Sequence, residues 1–66
     1  MNVICNGEKR EIAEGAGIID FLSLLDLNPD TVVVELNSSI LKRNQYETCK
    51  LSEGDVLELI RFVGGG

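Results

Sequence analysis

The amino-acid sequence predicts an α+β roll in which one helix lies across a mixed sheet of four to five strands. Strand-like segments open and close the chain, and a single helix-period stripe sits between them. Turn signals at Asn6-Gly7, Asn28-Pro29 and Glu53-Gly54-Asp55 separate these segments. One helix laid on a mixed sheet is the simplest two-layer arrangement that buries such faces.

Residues 1–5 read as a strand with Met1, Val3 and Cys5 on one face, because successive side chains alternate. Asn6-Gly7 is a strong hairpin signal, since the favoured two-residue turn needs positive φ at both positions. Residues 8–13 form the returning strand, with Ile12 on its apolar side. Glu14-Gly15-Ala16-Gly17 breaks the alternation. From Ile18 the spacing becomes helical: Ile18, Phe21, Leu22 and Leu25 share a stripe, with Asp20, Ser23 and Asp26 largely opposite. Gly17 serves as N-cap, and Asp20 in the first turn suits the helix dipole. Asn28-Pro29 stops the helix, because the residue before proline avoids the α region.

Thr31 to Leu36 is the most β-branched stretch and is assigned as the central strand. Asn37-Ser38 turns it into a short segment at Ser39–Lys42. Arg43 to Thr48 is irregular, with Tyr46 plugging the edge of the core. Glu53-Gly54-Asp55 launches a last strand from Val56 to Val63. The order is β-β-α-β-β-β without an internal repeat, which is a ubiquitin-like β-grasp roll. It makes one domain over residues 1–63, followed by a flexible glycine tail at 64–66.

The bulk composition narrows function by exclusion. A chain of 66 residues buries only about 60% of the surface it exposes when unfolded, so its core is thin. The formal charge is −5. Nucleic-acid binding needs clustered Lys and Arg, and an anionic membrane would repel this surface, so neither is an expected partner. A partner with a basic face is favoured instead. No apolar run approaches the roughly 20 residues of a membrane span, and no secretory signal is legible, which makes the cytoplasm the expected address.

The chain has no histidine, and two cysteines, Cys5 and Cys49, are too few for a disulfide scaffold or a four-thiolate cluster. Their parity makes both thiols small core hydrophobes. Neither a catalytic constellation nor a metal site is expected.

The distinctive group is at the tail. The last strand runs directly into Gly64-Gly65-Gly66, with no polar linker after Phe62-Val63. A terminus without Cβ atoms can thread a narrow cleft in extended form and adopt unusual φ/ψ values. It also presents an unhindered carboxylate to chemistry. A merely frayed terminus is the plainer alternative.

Strand 1 followed by Asn6-Gly7-Glu8, then Val34-Glu35-Leu36-Asn37, then Glu53-Gly54-Asp55-Val56-Leu57-Glu58, then Phe62-Val63-Gly64-Gly65-Gly66 together resemble the ThiS family. These are the sulfur carriers of thiamine biosynthesis, and the similarity spans essentially the whole chain. Gly17 departs from it, since threonine or another good N-cap is expected there, and the exchange should loosen the helix start. The resemblance implies that a ThiF-type adenylating enzyme, related to ubiquitin E1, activates the Gly66 carboxylate with ATP. A sulfur donor then converts it to a thiocarboxylate, and a ThiG-type thiazole synthase takes the sulfur. The carrier would be a co-substrate without its own active site or bound cofactor, and a monomer when free.

Alternation in the last strand suggests where partners dock. Leu57 and Leu59 share one face, and Glu58, Ile60 and Phe62 the other. Because Glu58 cannot be buried unpaired, the Leu57/Leu59 face is assigned to the core and Ile60 and Phe62 to a docking patch beside the tail. Arg61 has core-side parity but lies past the core's edge. Glu47, Glu53 and Asp55 are read as solvated acids. The rival functions are the small subunit of molybdopterin synthase, a protein modifier, and a plain interaction module with an idle tail.

Overall fold

The computed structural model describes residues 1–62, so Val63 and the three glycines lie outside the described residues. Its elements are β1 (Asn2–Cys5), β2 (Glu8–Glu11), α1 (Ile18–Leu24), β3 (Val32–Leu36), β4 (Ser39–Leu41) and β5 (Val56–Arg61). Short 3₁₀ turns occupy Pro29–Thr31 and Arg43–Gln45. The five strands form one sheet in the order β2-β1-β5-β3-β4. Only β1 and β5 pair in parallel, which makes the sheet mixed.

One assignment is corrected by this order. The central strand is β5, flanked by β1 and β3, whereas Val32–Leu36 is one place in from the edge. Its β-branched run reports interior pairing on both sides, which β3 and β5 share, so composition alone could not rank them. The returning strand also stops at Glu11, yet Ile12 beyond it is buried as expected.

Two hairpins use the same turn. Cys5 faces Glu8 and Leu36 faces Ser39, so each loop has two residues. The φ values are 49° and 81° at Asn6 and Gly7, and 50° and 73° at Asn37 and Ser38. Positive φ at both positions matches the twist of the flanking strands.

The helix start explains the departure at position 17. Gly17 has φ −107° and ψ −175°, an extended N-cap, and its N–H donates to the Asp20 carboxylate at 2.9 Å. A Cβ added to Gly17 would lie 2.7 Å from the Cys49 carbonyl oxygen. That same oxygen accepts from the Ile18 N–H at 3.0 Å, and Leu51 N–H donates to Ala16 at 2.9 Å. The backbone of residues 49–51 is therefore stitched against the helix entrance, leaving no room for threonine. Gly17 does not loosen the start; it permits this approach. Gly17→Ala is expected to cost about 1–3 kcal/mol, as overpacking against backbone does. For a chain of this size a thermal melt should fall by at least about 4 °C; an unchanged melt would contradict the close approach.

The helix ends before proline acts. Asp26 takes φ 60°, its N–H donates to Ser23 at 3.0 Å, and Leu27 N–H donates to Leu22 at 2.9 Å. This is a Schellman closure with aspartate in the left-handed position where glycine is commonest. Pro29 instead opens a 3₁₀ turn, in which the Asn28 side chain accepts from Asp30 N–H at 2.9 Å.

The core lies between α1 and one face of the sheet. Phe21, Ile18 and Leu22 from the helix meet Val3, Val34 and Leu57 from three strands, all fully buried. Tyr46 closes the edge as expected, and its hydroxyl donates to the Val32 carbonyl at 2.6 Å. Among the described residues no buried side-chain polar atom lacks a partner.

Candidate functional site

The strand that leads to the tail is held from both sides by the two turn asparagines. Asn6 N–H donates to Leu57 O at 2.9 Å, and its side-chain oxygen accepts from Leu59 N–H at 2.8 Å. On the other flank Asn37 N–H donates to Val56 O at 2.7 Å, and its side-chain oxygen accepts from Val56 N–H at 2.9 Å. Each carboxamide stands in for a strand residue that the hairpin has turned away, so β5 stays paired where β1 and β3 run out. The sequence marked both residues as turn formers. These cross-sheet bonds were not legible, because they join positions up to 53 residues apart.

The faces of β5 follow the expected parity. Leu57 is fully buried and Leu59 half-buried, while Glu58, Ile60 and Phe62 are exposed. Ile60 and Phe62 keep 54% and 58% of their surface accessible, and Phe62 N–H, just past the strand, donates to Thr31 O at 2.9 Å. Val56 and Ile40, at 47% and 63%, lie on this same outer face. Helix α1 covers the opposite face. Beside Phe62 a shallow groove of about 410 Å³ is lined by Val33, Ile40, Lys42 and Tyr46 among others. Arg61 is exposed at the strand end. The expected reactive and threading residues, Gly66, Gly65 and Gly64, lie outside the described residues.

Four acids, Glu47, Asp30, Asp55 and Glu53, have specific partners. Glu47 and Asp30 each bind Arg43 at 2.9 Å, and the guanidinium hydrogen bond holds the Glu47 carboxyl below its ordinary range. Asp55 accepts from Ser52 N–H at 2.7 Å and from the Asn37 amide at 3.0 Å. Glu53 accepts from Asn2 N–H at 2.8 Å. The last two organise the turn that aims β5; Arg43's pairs are exposed and add little stability.

Both cysteines are free thiols, Cys5 buried and Cys49 half-buried. Burial pushes both thiols up, and a nearby Asp55 charge adds to this at Cys49. Since the thiolate is the reactive form, neither position favours nucleophilic chemistry near neutral pH. Among the described residues no three His, Cys, Asp or Glu side chains are grouped to hold a metal ion. No helix of the described residues is long and apolar enough to cross a membrane.

A five-stranded mixed sheet embracing one helix, with its last strand central and leading to a glycine tail, defines a ubiquitin-like β-grasp protein. A ubiquitin-like protein from Caldiarchaeum subterraneum shares the fold at a TM-score of 0.50 and 19% identity, over 97% of this chain and 96% of that one. The crystal structure of the thiamine biosynthesis protein ThiS from Geobacter metallireducens is far more similar. Its TM-score is 0.85 at 33% identity, with 100% of both chains covered.

The ThiS family model matches residues 3–66, and the chain belongs to the ThiS family. The sulfur carrier protein ThiS of Bacillus subtilis is 36% identical over 62 residues, 92% of this chain and 94% of that one. A thiazole synthase of Paramagnetospirillum magneticum is 32% identical over 66 residues, covering all of this chain. The chain spans about a fifth of the length of the thiazole synthases it matches.

Proposed function

We propose that this chain is a sulfur carrier for thiazole formation in thiamine biosynthesis, working through the carboxylate of Gly66. The observation that carries it is the family match through residue 66, which sets the glycine tail in the family's register. A carboxylate is a poor acyl donor because oxide is a poor leaving group. A ThiF-type, E1-like adenylating enzyme attaches AMP from ATP, releasing pyrophosphate, and the mixed anhydride then has a good leaving group. A sulfur donor displaces AMP and leaves a thiocarboxylate, which hands its sulfur to a ThiG-type thiazole synthase. The match of this whole chain to about a fifth of two thiazole synthases supports that acceptor over molybdopterin synthase.

The chain contributes recognition and delivery as a cytoplasmic monomer, and ATP is consumed by its partner. Ile60 and Phe62 dock the adenylating enzyme, while Gly64 and Gly65 let the tail reach the nucleotide. The test is mass analysis after incubation with ATP, the organism's ThiF-type enzyme and a sulfur donor. Oxygen replaced by sulfur should appear on fragment ions covering only Gly64–Gly66, which excludes oxidation of Met1 or the cysteines. Full activation mixtures that never produce it would defeat the carrier function.

A further inference from the structure

The outer face of the sheet carries a feature that costs the fold stability. Glu35 of β3 and Glu58 of β5 stand directly opposite one another in the strand register. Both side chains point away from the helix, by the parity that buries Val34 and Leu57 on the other face. Like charges facing across a strand pair destabilise it. The ion pairs among the described residues join Arg43 to Asp30 and Glu47, and the Met1 ammonium to Glu14, so neither Glu35 nor Glu58 is neutralised there. Lys42, just past β4, and Lys9, on β2 beyond β1, are the cations closest to this face by register, and neither makes an ion pair in these described residues.

Apolar groups surround the two carboxylates. Glu35 faces Ile40 on its other side, Ile60 faces Val33, and Val56 and Phe62 extend the patch along β5. A chain with a thin core gains by covering such a face, and among the described residues no element does so. The chemistry of the cover follows from the charge. A second copy docked by two-fold symmetry would bring four carboxylates together, and an anionic membrane or nucleic acid would be repelled.

Resting on the carrier function proposed above, we infer that the Glu35–Glu58 pair is a recognition element for a basic side chain. That side chain, a guanidinium or ammonium set within an apolar surface of the E1-like adenylating enzyme, would sit between the two carboxylates. Flanking apolar contacts exclude water and strengthen the ionic contact. Like-charge repulsion in the free carrier is relieved on docking, so the face favours this partner over neutral ones.

Glu35→Gln, Glu58→Gln and the double variant test this in binding titrations against the organism's ThiF-type enzyme, with melts run in parallel. The double variant is expected to melt at or above the parent temperature. It should bind at least tenfold more weakly at low ionic strength, and the deficit should shrink at high salt as charges are screened. A double variant that binds within twofold of the parent overturns the inference, as does a loss seen only with thiazole synthase. Parent-chain binding without thiocarboxylate formation overturns the carrier function alone, because affinity and turnover are read separately.

Discussion

Gly65→Val is expected to leave the domain folded while lowering thiocarboxylate formation roughly hundredfold, about 3 kcal/mol of lost transition-state stabilisation. The core closes at Leu57 and at the Asn6 and Asn37 tethers, all upstream of the tail. A substitution outside such packing moves stability by no more than about 0.5 kcal/mol. On the proposed function the loss arises elsewhere: a β-branched side chain restricts backbone angles and adds bulk where the tail would enter the adenylating enzyme's cleft. Gly66→Val should behave likewise and in addition crowd the activated carbonyl. Single-turnover kinetics with ATP and the adenylating enzyme, alongside a melt, measure both quantities. A folded Gly65→Val chain activated at the parent rate would show that the glycines are not there for threading.

Leu57→Asp should abolish folding outright, whereas Ile60→Asp and Phe62→Asp should fold and fail to bind the adenylating enzyme. Leu57 is fully buried among Phe21, Val34 and their neighbours in the hydrophobic core. An unpaired charge there costs several kcal/mol or more, comparable with the whole stability of a small domain. Leu59 is half-buried, so Leu59→Asp falls between the extremes. At the two outer positions the cost is confined to strand propensity, about 1 kcal/mol or less. Thermal melts and titrations on the variants decide the matter. A soluble Leu57→Asp chain beside an unfolded Ile60→Asp chain would mean that β5 faces the other way.

Local pattern carried most of the fold. The Asn6-Gly7 turn, the Ile18/Phe21/Leu22 stripe and the parity of residues 57–62 all reappear in the structure. Each is set by neighbours a few positions away, and such features are legible in a linear sequence. What escaped depends on partners distant in the chain. Sequence alone makes Gly17 a weak cap, whereas the close approach of the Cys49 carbonyl requires glycine there. Asn6 and Asn37 looked like turn residues and also anchor β5. The central place of β5 is a property of pairing order, and β-branching in Val32–Leu36 pointed to the wrong strand. At the site, exposure of Ile60 and Phe62 was legible, while the facing of Glu35 and Glu58 required the register.

Placing the last strand in the middle of the sheet also bears on how the protein is made. Until Arg61 has left the ribosome, β1–β2 and β3–β4 are two separate hairpins with no strand between them. An isolated hairpin is marginal in water, so the nascent chain has no stable folded intermediate to rest in. Products of premature termination or clipping that lack β5 remain unfolded, and unfolded chains are removed by cellular proteases. The molecules that accumulate are thereby those whose C-terminal strand was synthesised in full. Folding therefore checks that β5 has been made, before any enzyme meets the chain.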